Sequence, residues 1–231
     1  MSRKGKERYF SEVNGLIKKI KIRKGLSEEK VRIMADLLFD GSVYESKYHY
    51  SVMYVNSSKE LVSQFINDMK KVYSVKPSTI EKAKIYTRVK YYSKQIYDDL
   101  MRYFKSYSTS DNKCSILAEI LKNENFSLII LRAFWENEGS ISKEGKLSAD
   151  SKSYKVIKQL SKLHNKFWLK HNISKYWENG WAYKLSLYKT KKNYKRFIDL
   201  QLFSKSRVTK GYFKGKKKID VLKEYYNRKF K

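Results

Sequence analysis

The chain has 231 residues, and 52 Lys and Arg against 23 Asp and Glu leave a formal net charge of +29. Apolar residues make up 41%, enough for a packed core, so the charge does not imply disorder. No apolar run approaches the roughly eighteen residues of a membrane helix, and the single cysteine, Cys114, excludes a disulfide framework and a cysteine-based zinc site. A chain this basic repels itself, which points to a polyanionic partner. Heat adaptation would raise Glu together with Lys, and here acids are outnumbered more than two to one. Met1 to Tyr9 is charged and lacks the apolar segment of a signal peptide, so a non-secreted chain is expected, in the cytoplasm or an organellar matrix.

In chain order, residues 1–26 form a basic extension with nine basic residues and two acids. A first unit, 27–110, opens with Ser27 as an N-cap followed by Glu28 and Glu29. Val31, Ile33, Met34, Leu37 and Leu38 make this helix strongly apolar, and it stops at Asp40-Gly41. Strands are expected around Val43-Tyr44 and Tyr50 to Val55. A helix follows over Lys59 to Tyr73, ended by Pro77, the only proline. Ile85 to Tyr92 alternates, with Ile85, Thr87, Val89 and Tyr91 on one face and Tyr86, Arg88, Lys90 and Tyr92 on the other. A helix from Lys94 to about Tyr103 closes the unit.

The second unit, 111–205, repeats the order after a linking helix over Ser115 to Lys122. Ser127 is read as the cap of a helix from Leu128 to Asn137 that stops at Glu138-Gly139. A short hairpin turns at Glu144-Gly145, and a helix runs from Tyr154 to about Lys170. Asn179-Gly180 marks the turn of a second hairpin, Ile173–Trp177 with Trp181–Lys189. Trp181, Tyr183, Leu185 and Leu187 alternate there with Ala182, Lys184, Ser186 and Tyr188. A helix from about Lys191 to Leu202 follows. Residues 206–231 form a second basic extension, to be read either as a nucleic-acid-contacting arm or as a solvated tail. Each half is thus α-β-β-α-β-β-α, an α+β class. Asp40 and Glu138 set the offset at 138 − 40 = 98 residues.

In both Leu37-Leu38-Phe39-Asp40-Gly41-Ser42-Val43 and Phe134-Trp135-Glu136-Asn137-Glu138-Gly139-Ser140-Ile141, an apolar helix ends in an acid. Gly, Ser and a β-branched residue follow. An acid is disfavoured at a helix C-terminus, where the backbone carries partial negative charge, so its repetition suggests a use. The Gly permits a left-handed cap. Ala35 and Ala133 would let the two helices pack closely and bring both acids out at one end. Adjacent carboxylates repel unless one is protonated or a cation bridges them, and Mg²⁺ suits few carboxylates completed by water and phosphate oxygens.

The segments Ile33 to Gly41 and Leu131 to Gly139 resemble two LAGLIDADG motifs, and their spacing and surrounding elements are similar to those of single-chain LAGLIDADG homing endonucleases. Asp36 and Leu38 in the first copy and Arg132 in the second depart from the commonest pattern. The resemblance implies that the motif helices join the halves and that the two antiparallel sheets form a saddle over the major groove of double-stranded DNA. It implies a monomer making a staggered double-strand cut. Asp40 and Glu138 would be ligands of Mg²⁺, with Mn²⁺ as a substitute, and the carbonyls of Phe39 and Asn137 would help. It further implies polar or basic residues at strand ends near the metal: Asn56 in the first half, the stretch Asp150, Ser151 and Lys152 in the second, with Lys90 and Lys184 on the polar strand faces. DNA reading would fall to Tyr86, Arg88, Lys90 and Tyr92, with Lys184, Ser186 and Tyr188. The same fold used without cutting, as a maturase on intron RNA or a DNA-binding regulator, is the main rival. A basic RNA-associated structural protein is another. His164 and His171 lack a metal-binding context and are expected as surface or partly buried residues, and no phosphate-binding Gly-rich loop is present.

Overall fold

The computed structural model describes residues 20, 22, 25–111 and 113–230. The first half comprises α1 (Glu28–Asp40), β1 (Gly41–Glu45), β2 (Tyr50–Asn56), α2 (Lys59–Tyr73), β3 (Thr79–Lys82), β4 (Thr87–Tyr92) and α3 (Lys94–Met101). After a short α4 (Ala118–Lys122) come α5 (Glu124–Glu138), β5 (Ser140–Ile141), β6 (Leu147–Ser151), α6 (Tyr154–Lys166), β7 (His171–Trp177), β8 (Trp181–Leu187) and α7 (Lys191–Asp199). A further helix, α8, spans Lys218–Phe230. The strands form two antiparallel four-stranded sheets with the same order, β1-β2-β4-β3 and β5-β6-β8-β7. The α+β class and the duplicated plan are therefore as expected.

Small polar residues start most of the helices. Ser27, Ser58, Ser93, Ser153 and Thr190 accept from backbone N–H groups of the first turn of α1, α2, α3, α6 and α7. For α5 the cap is Asn123, four residues before the expected Ser127. Ser127 is buried inside the helix and its hydroxyl donates to the carbonyls of Ile120 and Leu121. Helix α6 ends at Lys166 rather than near Lys170, because Trp168 takes a left-handed φ of 59°.

Helices α1 and α5 pack on each other more extensively than any other helix pair and form the joint between the halves. Ala35 and Ala133 are both buried there. The contacts at this joint come in matched pairs. Phe39 of the first half meets Phe134 of the second with ring centroids 5.3 Å apart. The positions related to these by the 98-residue offset, Asn137 and Asp36, also meet: the Asn137 amide donates to Asp36 at 3.1 Å. One side of the joint is thus aromatic and the other polar.

Gly41 and Gly139 are both extended (φ −129° and −70°), not left-handed as expected. Glycine is required for close approach instead. A Cβ on Gly139 would lie 2.2 Å from the Trp135 carbonyl oxygen, and one on Gly41 would lie 2.6 Å from the Leu37 Cα and 2.8 Å from the Met53 carbonyl.

The expectation for residues 1–26 lies outside the described residues except at Ile20, Ile22, Gly25 and Leu26; the three apolar ones pack against the core. The C-terminal segment is not a solvated tail. Val221 and Leu222 are buried, Tyr225 stacks on Tyr194, and Phe230 packs on both rings. Ile85, expected on the apolar face of a strand, lies outside β4 and is exposed. Among the described residues no helix is long and apolar enough to cross a membrane.

Candidate active site

The ends of α1 and α5 bring Asp40 and Glu138 to one side of the joint, and Asp40 lines a cleft of about 680 Å³ together with Asn137 and Gly139, the neighbours of Glu138. Both carboxyls are partly withdrawn from water. Burial pushes Asp40 up to about 6, against the opposing effects of Lys218 and an Asn56 hydrogen bond. Burial, with the charges of Asp40 and Asp150 added, pushes Glu138 up to about 8. The acids are therefore close enough to feel each other and costly to ionise together.

A chain of hydrogen bonds ties them to the joint. Asn56 donates through Nδ2 to Asp40 at 2.8 Å and to the Asn137 side-chain oxygen at 2.9 Å. Tyr54 donates to that same oxygen at 2.8 Å. The Asn137 amide donates in turn to Asp36 and to the Ala133 carbonyl. Asp36 is buried, and burial raises it to about 7. Asn56 thus stands where it can orient one acid, while Asn137 takes part through its side chain rather than only through its carbonyl.

The other residues expected at the site fall elsewhere. Lys90 lies on the outer face of β4, hydrogen-bonded to Glu81 at 2.7 Å. It stands level with Met53 and Ser42, two residues along β1 from Asp40. Lys184 stands opposite Asp150 on β6, 3.7 Å from its carboxylate. The two lysines are not counterparts. Ser42 pairs with Met53 and Met53 with Lys90, whereas Ser140 pairs with Ser148 and Ser148 with Ser186. Lys90 therefore corresponds to Ser186, and Lys184 to Arg88. The same register equates Asn56 with Ser151, whose hydroxyl accepts from the Ser153 N–H as the Asn56 oxygen accepts from Ser58. Lys152 is exposed and does not line the cleft. Tyr92 and Tyr188 are exposed, and Arg88 bonds to Glu81 while packing over the Tyr86 ring.

Two further charged residues, Lys218 and Glu136, hold the surroundings of the acids together. Lys218, the first residue of α8, is buried, and its ammonium donates to the carbonyls of Gly139 (2.7 Å) and Glu136 (3.3 Å). It caps the C-terminus of α5 beside Glu138, where a cation offsets the helix-end charge. Glu136 is buried and accepts four hydrogen bonds, from the N–H groups of Ser204, Lys205 and Ser206 and from the Ser204 hydroxyl. It anchors the segment leading to α8. The signal for Lys218 lay in the extension itself: Val221, Leu222, Tyr225 and Tyr226 recur at helical spacing.

His171 is half-buried as expected, whereas His164 is a core residue rather than a surface or partly buried one. His164 is fully buried, accepts from Trp135 Nε1 at 3.0 Å and contacts the Leu160 carbonyl; burial lowers it to about 3, so it is neutral. Among the described residues no three His, Cys, Asp or Glu gather as a ready metal cage. The site's own donors are oxygens: two carboxylates and helix-end carbonyls. That set fits a hard divalent ion such as Mg²⁺ or Mn²⁺ that keeps other positions for water or phosphate oxygen.

Two α-β-β-α-β-β-α halves joined through helices that end in acids make up the LAGLIDADG fold. Among solved structures the chain is similar to the homing endonuclease I-DmoI in a mesophilic variant (TM-score 0.60, 17% identity, 75% of this chain and 94% of that one). It is similar to I-DmoI in complex with DNA and Mn (TM-score 0.60, 16% identity, 77% and 97%). It is also similar to the N-terminal LAGLIDADG domain of DUF199/WhiA (TM-score 0.53, 16% identity, 87% and 93%). Neither a family profile nor a curated protein matches the chain at the level of sequence.

Proposed function

We propose that the chain is a site-specific DNA endonuclease that hydrolyses phosphodiester bonds with a divalent metal and makes a staggered double-strand cut. The observation that carries this reading is that the two acid-ending helices, one from each half, meet at their C-termini, where Asn56 bonds both Asp40 and Asn137, the neighbour of Glu138, beside a cleft that Asp40 lines. The fold shared with I-DmoI, solved with DNA and with Mn or Ca, supports it. Asp40 and Glu138 would hold Mg²⁺ or Mn²⁺, which when bound supplies an activated water and stabilises the leaving oxygen. Asn56 orients the Asp40 carboxylate, and Asn137 holds Asn56 in place. Tyr86, Arg88, Lys90 and Tyr92 on one half, with Lys184 and Tyr188 on the other, would meet the duplex: Arg reads base edges, and Lys meets phosphates. Ser186, expected among them, is buried and is not available to the duplex.

Binding without cutting is the second reading. It draws on Lys218, whose ammonium already offsets part of the charge of both acids, and on the likeness to WhiA. One experiment separates the two. A randomised duplex library is incubated with Mg²⁺ and wild type, Asp40→Asn or Glu138→Gln. The nuclease reading expects double-strand cutting by wild type and loss of at least roughly a thousandfold in each variant, with binding retained, since an interaction made only in the transition state is removed. Binding by all three with no cutting would favour the second reading, and cutting that survives both substitutions would place the chemistry elsewhere.

A further inference from the structure

Residues 207–217 form a basic finger over the acid cleft. The stretch has five basic residues and no acid. Its two limbs pair: Arg207 bridges to Lys217, Val208 N–H donates to the Lys216 carbonyl, and Gly215 N–H donates to the Val208 carbonyl. Gly211 and Gly215, at φ 78° and 87°, take the left-handed conformation that lets so short a turn close. Both roots are fixed. The first is tied to the second half by Glu136, and to the first half where the Ser58 hydroxyl donates to the Lys205 carbonyl and Lys205 bonds to Gln64. The second root is held by Lys218 on Gly139.

The finger is thus a paired loop anchored at both roots. Its Val208, Lys210 and Lys214 line the same cleft as Asp40, Asn56 and Gly139. Lys210 and Lys214 have exposed side chains, and Tyr212 at the tip is 78% exposed. Two exposed cations lining the same cleft as the Asp40 carboxylate suit a ligand with negative charge on one side and metal-binding oxygens on the other, which is the chemistry of a phosphodiester backbone.

Resting on the nuclease reading, we propose that this finger is a phosphate clamp in which Lys210 and Lys214 grip the DNA backbone beside the acid pair. The test measures binding of a random-sequence duplex across roughly 50–200 mM salt, in an Asp40→Asn background, without and with Lys210→Ala/Lys214→Ala. A control, Lys223→Ala/Lys229→Ala, removes the same charge from exposed positions on α8. The clamp expects the slope of log affinity against log salt to flatten by about two in the finger variant, one for each lost phosphate contact, and to stay unchanged in the control. An equal change in both would reduce the effect to overall charge and overturn the clamp. Tighter binding by the finger variant would make the finger an obstruction and overturn it as well. An unchanged slope, with wild type binding normally, overturns the clamp alone, whereas failure of the parent to bind duplex DNA overturns the DNA reading and the clamp with it.

Discussion

Asp40 and Glu138 each take up a proton more readily in the folded chain than in the unfolded one. Their ordinary values of 3.8 and 4.5 rise to about 6 and about 8 because burial removes the water that would solvate the charge. The folded state therefore binds more protons between these limits, and stability falls as pH rises. The advantage is complete below about pH 4 and is lost as pH climbs through 6 and 8. Buried Asp36, raised to about 7, adds to the same trend. Without metal, the melting temperature should drop from pH 5 to pH 8 more in wild type than in Asp40→Asn/Glu138→Gln. Mg²⁺ at pH 8 should restore it in wild type only, because a cation favours the ionised forms. Thermal scans at the two pH values check this, and equal pH slopes in the two proteins would contradict it.

At the helix-to-strand junctions, the two acids are placed by glycines that no side chain can replace. Gly139 follows Glu138 directly, and a methyl there would overlap the backbone oxygen of Trp135, which cannot swing aside without unwinding the last turn of α5. Gly139→Ala should cost about 3 kcal/mol, or a melting temperature lower by roughly 6–12 °C in a chain of this size. A variant as stable as wild type would show that the corner can relax. These junctions were also the clearest signal in the sequence, because an acid and a glycine closing an apolar helix twice is a local pattern. Other features left no such trace. Strand β3 has all four residues exposed and so lacks the alternation that betrays a half-buried strand. The equivalence of Lys90 with Ser186 rather than Lys184 depends on sheet register, and two residues of slip would exchange them without changing the face. Lys218 is far from the acids in sequence and reaches them only because α8 folds back onto α7 and β5.

The whole molecule carries both acids in one chain, so a single copy completes the cleft. Sizing at low concentration should give a mass near 27.6 kDa, with or without duplex DNA removed by high salt. A stable species of twice that mass would mean that the cleft, or the surface around it, is shared between copies. The net charge of +29 predicts that any such sizing is sensitive to contaminating nucleic acid at low ionic strength.

The joint between the halves bears on how such a chain can change over generations. Asp36 faces Asn137 on one side, and at the positions related by the internal repeat Phe134 faces Phe39 on the other. If the first half paired with a copy of itself, Asp36 would be set against Phe39 twice. If the second did so, Phe134 would be set against Asn137 twice. Each half has become a mate for the other and a poor mate for itself. Recombination that exchanges one half for a relative's must carry a matching partner residue across the joint, so the two halves are bound to evolve as a couple.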